Sequence, residues 1–184
     1  MVVQLDLEKT YTVAEFEELY GYDKNYDLID GKVVEVSPAG RRHGRVGTML
    51  AAYLGMYVME HKLGETHGAD TGWVLAVNTV RAADVAFITS ERLADLDEDG
   101  FIPVPPDLAV EVVSPSDFGP EIKKKVELYH NAGVPLVWTI HPIKKIVKIY
   151  RLNDPEITTL TADDELDGED IVPGFKLKIS KLFD

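Results

Sequence analysis

Two carboxylates lie in or directly before apolar runs that predict buried strands. Glu111 lies inside the apolar run 108–113, and Asp84 comes directly before the apolar run 85–88. Such runs are typical of strands buried on both faces. An isolated ionised carboxylate there is costly, and buried glutamates are rare unless they are paired or bind a metal. The two acids predict a site for a hard divalent cation, Mg²⁺ or Mn²⁺, with the carbonyl of Val112 as a further ligand. The alternative is that each acid lies at a strand end and meets solvent or a lysine.

A lysine is the third candidate. Lys125 lies in the helix predicted after the strand of Glu111, three residues after Ile122 and four before Tyr129, so it shares their inward face. It could contact a scissile phosphate, orient water or stabilise developing negative charge. A lysine whose stem packs on the sheet while its ammonium stays in water explains the pattern equally well.

Several weaker candidates lie elsewhere. His43 begins a long predicted helix on its apolar side and is a candidate accessory residue, although a lone histidine there is more often structural. Arg41, Arg42 and Arg45 beside it are candidate phosphate-binding residues, or else a solvated turn. Asp27 is a second candidate accessory residue, but its surroundings in the sequence assign it no chemistry.

The elements that must position these residues follow from local rules. Thr12 and Glu15 form a capping box that predicts a helix start. Asp30 and Gly31 predict a tight turn between two strands. Helices are predicted at about 43–63 and 120–132, strands at 26–29, 32–36, 73–80, 85–88, 108–113, 134–140, 145–150 and 175–179, and acidic loops at 93–106 and 163–170. This order favours an α/β (α+β) fold with a mixed central sheet flanked by helices, after an N-terminal helix and β-hairpin.

Composition limits the function classes. The 184 residues predict a single domain, 1–184, and the absence of cysteine excludes a disulfide framework, a thiolate zinc site and a cysteine nucleophile. There is no glycine-rich phosphate-binding loop. No stretch has the length and character of a signal peptide or a membrane span, so we expect a cytoplasmic protein without a membrane partner. The net charge of −13 opposes nucleic-acid binding unless a local basic patch or metal ions compensate.

Short motifs occur in a characteristic order along nearly the whole chain. They are YDLIDG at 26–31, HG at 43–44, ADVAF at 83–87, PDLAVEVVSPS at 106–116, KVELY at 125–129, AGV at 132–134 and VPGF at 172–175. Together they closely resemble the Uma-two family of restriction-endonuclease-like proteins, which belongs to the PD-(D/E)xK nuclease superfamily. Each motif is modest alone, and the ordered set is specific.

The resemblance implies a restriction-endonuclease-like core, Mg²⁺-dependent cleavage of DNA phosphodiester bonds and often a homodimer. It makes Asp84 the motif aspartate and Glu111 the second acid. The lysine that the superfamily usually carries two residues later is replaced by Val113, and Lys125 matches the family's lysine on the following helix. The family usually has glutamate at the position of Asp27. In the implied mechanism the two acids and the Val112 carbonyl hold the metal, while Lys125 orients the nucleophile or neutralises the phosphate.

Three other functions stay open. The first is a catalytically silent module on a nuclease fold that binds nucleic acid or protein, which the net charge of −13 supports. The second is a nuclease subunit that needs a basic partner to hold DNA. The third is a purely structural oligomer, for which the strands at 134–140 and 145–150 could supply a sheet edge. The sequence identifies no interface.

Overall fold

The computed structural model describes residues 9–20, 26–115 and 119–184. Helices α1–α4 are Val13–Tyr20, Arg41–His61, Ser90–Leu93 and Gly119–Asn131, and a 3-10 helix covers Ile179–Leu182. Strands β1–β12 are Tyr26–Ile29, Lys32–Glu35, Gly64–Gly68, Trp73–Ala76, Thr79–Arg81, Val85–Thr89, Leu108–Val112, Leu136–His141, Ile146–Arg151, Thr158–Thr161, Glu165–Asp167 and Lys176–Lys178.

A six-stranded mixed sheet forms the centre, in the order β10-β9-β8-β7-β6-β3. Strands β7 and β8 are parallel, and every other neighbouring pair in this sheet is antiparallel. A four-stranded sheet, in the order β2-β1-β5-β4, lies beside it, and β11 pairs with β12. The predicted mixed sheet flanked by helices is confirmed.

Helices α2 and α4 cover opposite faces of the central sheet. The stripe Val46, Leu50, Leu54 and Val58 recurs every four residues along α2, and all four side chains are fully buried against one face. Helix α4 packs Val126 against the other face. Burying a side chain of this size stabilises the fold by roughly 1.5–3 kcal/mol, so each helix is held mainly by its apolar stripe. No helix in the described ranges has both the length and the hydropathy needed to cross a bilayer.

The N-terminal helix and hairpin form as their local sequences predict. The backbone N–H of Thr12 donates to Glu15 Oε2 over 2.9 Å, and the N–H of Glu15 donates to Thr12 Oγ1 over 3.2 Å. This reciprocal pair is the capping box of α1. Asp30 and Gly31 have φ angles of 50° and 77°, as a type I′ turn between β1 and β2 requires.

Two predicted segments are wrong. Residues 73–80 form the antiparallel pair β4 and β5, because the chain turns at Val77, which is 88% exposed, and at Asn78, whose carbonyl accepts a hydrogen bond from Gly31. The apolar run before Asn78 concealed this turn. The segment 163–170, predicted as a loop, contains β11, which pairs with β12. The loop predicted at 93–106 is confirmed except for its first residue, Leu93, which is the last residue of α3.

Candidate active site

The end of β7 and the start of β6 bring the two predicted acids together. The strands are antiparallel, and Val85 pairs with Val110. Asp84 precedes Val85 and Glu111 follows Val110, so the two acids lie beside each other at this end of the strand pair. The carboxylate Oδ2 of Asp84 accepts a hydrogen bond from the backbone N–H of Val112 over 2.6 Å. The N–H and C=O of one residue in an extended strand point to the same side. The Val112 carbonyl is therefore directed toward Asp84, as a ligand to a shared cation would be.

Glu111 is buried, and two side chains of α4 meet its carboxylate. Lys125 Nζ lies 2.6 Å from Oε2, and the Tyr129 hydroxyl donates to Oε1 over 2.7 Å. Lys125 and Tyr129 are four residues apart, so they project from the same face of the helix. Glu111 is 6% exposed, and these two contacts offset the free-energy cost of burying its charge. The inward orientation predicted for Lys125 is therefore what the structure has.

The environment fixes the protonation of both partners of Glu111. Burial raises the pKa of the Tyr129 hydroxyl well above its ordinary value, and the Glu111 carboxylate raises it further. Burial alone lowers the pKa of Lys125, but the charge of Glu111 and its hydrogen bond outweigh burial, so the net shift is upward. Near neutral pH, Tyr129 is thus a neutral donor and Lys125 a cation.

A second buried ion pair adjoins this one. Strands β1 and β5 are neighbours, and Arg81 Nε lies 2.9 Å from Asp27 Oδ2. Burial raises the pKa of Asp27, and the attraction of Arg81 offsets that rise only in part. Arg81 also interacts electrostatically with Glu111, and Lys125 interacts with Asp84. The two pairs therefore belong to one cluster, in which three carboxylates share two fixed cations.

The remaining predicted candidates all lie in the first turns of α2. His43 Nε2 is 3.1 Å from Asp84 Oδ2, which brings His43 into the cluster. Arg45 donates hydrogen bonds to the backbone carbonyls of Phe183 and Asp184, so the structure gives it a partner other than a phosphate. Arg41 and Arg42 are exposed.

The donor set suits a hard divalent cation. Within the described residues, no group of three or more histidine, aspartate or glutamate side chains is arranged to hold a metal. Mg²⁺ is usually bound through one or two carboxylates, with water and substrate phosphate completing the shell. Asp84, Glu111 and the Val112 carbonyl meet that requirement, and the excess of carboxylates over cations favours a cation at this point.

Sequence reasoning missed two members of the cluster. Arg81 ends a short apolar strand three residues before Asp84, and a basic residue in that position was the available signal. Tyr129 was identified only as an apolar helix position, although a tyrosine four residues after an inward lysine can hydrogen-bond to the same acid.

Comparisons with known proteins place the chain among nuclease-like proteins. Residues 13–180 match the family model described as "Uma2: Putative restriction endonuclease". A solved structure described as "a putative nuclease belonging to DUF820" from Anabaena variabilis ATCC 29413 superposes with a TM-score of 0.79 at 18% sequence identity. The superposition covers 94% of this chain and 97% of the other, and at that identity it shows the fold alone. No curated protein matches the chain.

Proposed function

The chain belongs to the Uma2 family of restriction-endonuclease-like proteins, and we propose that it is a Mg²⁺- or Mn²⁺-dependent endonuclease that hydrolyses DNA phosphodiester bonds. One observation carries the proposal. The buried carboxylate of Glu111 contacts the Lys125 ammonium at 2.6 Å, beside Asp84, at the end of a central strand. Perturbed, partly buried charges that converge at one point are typical of active sites.

Asp84, Glu111 and the Val112 carbonyl are the groups that would hold the metal. When bound, a divalent ion supplies Lewis-acid stabilisation of the phosphate charge and makes a bound water easier to deprotonate. Phosphodiester cleavage requires little more of the protein than positioning and electrostatic stabilisation. The buried strands β6 and β7 contribute to that positioning, and hydrogen bonds from the Val112 N–H, Lys125 and Tyr129 hold the two carboxylates.

Lys125 is the residue that meets the substrate. Its side chain is 29% exposed while its ammonium contacts Glu111, so it reaches from the buried acid to the surface. From there it can donate a hydrogen bond to a non-bridging phosphate oxygen as negative charge develops. In this proposal, the Lys125 ammonium takes the role that the superfamily's usual lysine would have at the position of Val113.

His43 and the pair Asp27–Arg81 are positioning residues in this proposal. The His43 contact with Asp84 fixes the orientation of that carboxylate from the side of α2. Arg81 neutralises Asp27 and attracts Glu111. Without Arg81, three carboxylates would repel one another at the same point.

A partner-dependent or catalytically silent binding protein is the second candidate, and the net charge of −13 favours it. Such a charge repels a polyanion over most of the surface. In this case the chain needs a basic partner, or a second copy in a homodimer, before it can hold DNA. The homodimer and the cytoplasmic location stay predictions.

A plasmid-nicking assay tests the proposal. Supercoiled DNA is incubated with the protein in Mg²⁺, in Mn²⁺, and in Mg²⁺ with excess chelator. We expect nicking in the two metals and none with chelator. Nicking that persists unchanged with chelator would contradict the metal-dependent mechanism, and metal binding without nicking would favour the second candidate.

A further inference from the structure

A groove opens on the other flank of α4, away from the face that carries Lys125. It has a volume of about 570 Å³ and runs between α4 and the hairpin of β8 and β9. Its walls include Val113 and Ser114, which follow the proposed metal ligand Val112 directly. The volume lies in the range of small-molecule and cofactor sites. The groove is thus large enough for one nucleotide and begins where the active site ends.

The groove carries positive charge in an acidic chain. From residue 128 to residue 153 the sequence has no aspartate or glutamate. Lys144 and Lys148 line the groove, and neither has an ion-pair partner within the described ranges. Lys123, Glu127 and Asp154 also line it, and the Lys123 ammonium lies 3.5 Å from the Glu127 carboxylate. The charge that a phosphate would meet therefore comes mainly from Lys144 and Lys148.

Sheet register connects the groove to the candidate active site. Glu111 is paired with Thr139 on β8, and Thr139 is paired with Lys148 on β9. Residues opposite one another in a sheet project from the same face. Lys148 therefore lies on the α4 face, two strand spacings or about 10 Å from Glu111. A strand whose scissile phosphate lies at Glu111 can place a neighbouring phosphate at Lys148.

The wall of the groove offers apolar and aromatic surface to a base. Ile122, Ile143 and Tyr150 line it, and Ile143 is 61% exposed. Stacking of bases on aromatic side chains stabilises single-strand binding by about 1–3 kcal/mol per base.

We propose that this groove binds a nucleotide of the substrate strand next to the cleaved bond, with its phosphate on Lys144 and Lys148 and its base on the apolar wall. The proposal rests on the proposed nuclease function. The groove is a local basic patch in a chain whose net charge is otherwise unfavourable for binding a polyanion. DNA and RNA both offer it a phosphodiester strand, which is the chemistry that the groove would recognise.

The test measures binding separately from cleavage. Fluorescein-labelled single-stranded oligonucleotides, one of DNA and one of RNA with the same sequence, are titrated with the full chain in chelator by fluorescence anisotropy. Lys144→Gln/Lys148→Gln is compared with Lys124→Gln/Lys145→Gln, which removes the same charge from exposed lysines of α4 and the hairpin outside the groove. Circular dichroism verifies that both variants fold.

We expect the groove variant to raise the Kd for at least one of the two strands roughly tenfold, and the control variant to change it much less. The slope of log K against log salt should become shallower by about 1.4 for two lost phosphate contacts on a single strand. Equal losses in both variants, or no strand binding by the wild type, would overturn the proposal. So would a groove variant that only dissociates a dimer, since the groove would then be an interface between copies.

The two proposals fail separately. If the wild type nicks plasmid while the groove variant binds like its control, the groove assignment is wrong and the nuclease stands. If the groove variant loses binding but the wild type never nicks, the groove is supported as a strand-binding site and the nuclease proposal is wrong.

Discussion

The two flanks of α4 face surfaces of opposite character. On one flank, Lys125 and Tyr129 contact Glu111 in a cluster where carboxylates outnumber cations. On the other, the helix borders a groove lined by Lys144 and Lys148, which have no ion-pair partner among the described residues. This difference suggests a way for an acidic chain to act on a polyanion. Negative charge is concentrated where a metal would lie, and positive charge is kept about two strands away, where the substrate strand would lie.

The two flanks should be separable by mutation, and the largest effect is expected at Glu111. Glu111→Gln removes the ligand charge but keeps most of the shape. Nicking should fall by at least about a thousandfold, which corresponds to roughly 4 kcal/mol of transition-state stabilisation. Strand binding in chelator should stay within about twofold of wild type.

Glu60→Gln is the matched control, because Glu60 is exposed on α2. It should nick like the wild type. If Glu111→Gln nicks at the wild-type rate while folded, the site assignment is wrong. If it loses nicking and strand binding together, the two flanks are not independent.

Arg81 tests how much the buried ion pair with Asp27 stabilises the fold. Arg81→Ala leaves Asp27 buried without its cation. Breaking a buried ion pair in this way costs about 3 kcal/mol or more, so the free energy of unfolding in urea should fall by that amount. Lys176→Ala, which removes an exposed cation beside Glu165 and Asp167, should lower it by less than about 1 kcal/mol. Equal effects would show that Arg81 contributes no more than a surface charge.

Lys125 should have a smaller effect than Glu111, because the metal ligands remain. We expect Lys125→Ala to lower the single-turnover rate of nicking about a hundredfold, as the loss of one donor to developing charge does elsewhere. Lys124→Ala, one residue earlier and exposed, is the control and should leave that rate unchanged. A Lys125→Ala variant with the wild-type rate would reassign this lysine to a structural role with Glu111.

The smallest effect is expected at the cap of α1, far from both flanks along the chain. Hydrogen bonds from the backbone and hydroxyl of Thr12 lower the pKa of Glu15 below 4.5. A lowered pKa in the folded state gives stability that is present above pH 4.5 and lost as the pH falls through the folded value. Glu15→Gln should therefore lower the Tm slightly at pH 7 and have no effect well below pH 4.5, with nicking and strand binding unchanged. An equal loss at both pH values would contradict the ionised cap.

The sequence predicted the part of the site that local patterns encode. A carboxylate in an apolar run identified Glu111, and helical spacing placed Lys125 on its side of α4. The contact between Asp84 and the Val112 N–H depends on the antiparallel register of β6 and β7, which distant turns and packing set. Arg81 was missed for the same reason, since its partner Asp27 lies on another strand of the smaller sheet.

The fold shows the same division. The type I′ turn at Asp30 and Gly31 and the cap at Thr12 are encoded within a few residues, and both were predicted. Strands β3 and β10 were missed because both are edge strands with several polar residues and no clean apolar alternation. The groove could not be predicted, because it is formed by α4, β8 and β9 together.

The most direct test of the central claim is a calorimetric titration of Mg²⁺ into the wild type, Asp84→Asn and Glu111→Gln. The account predicts that the wild type binds the ion and that either substitution abolishes or strongly weakens binding, while circular dichroism shows all three folded. Wild-type Mg²⁺ affinity in both variants would contradict the account, because the two acids would then have no part in holding a metal.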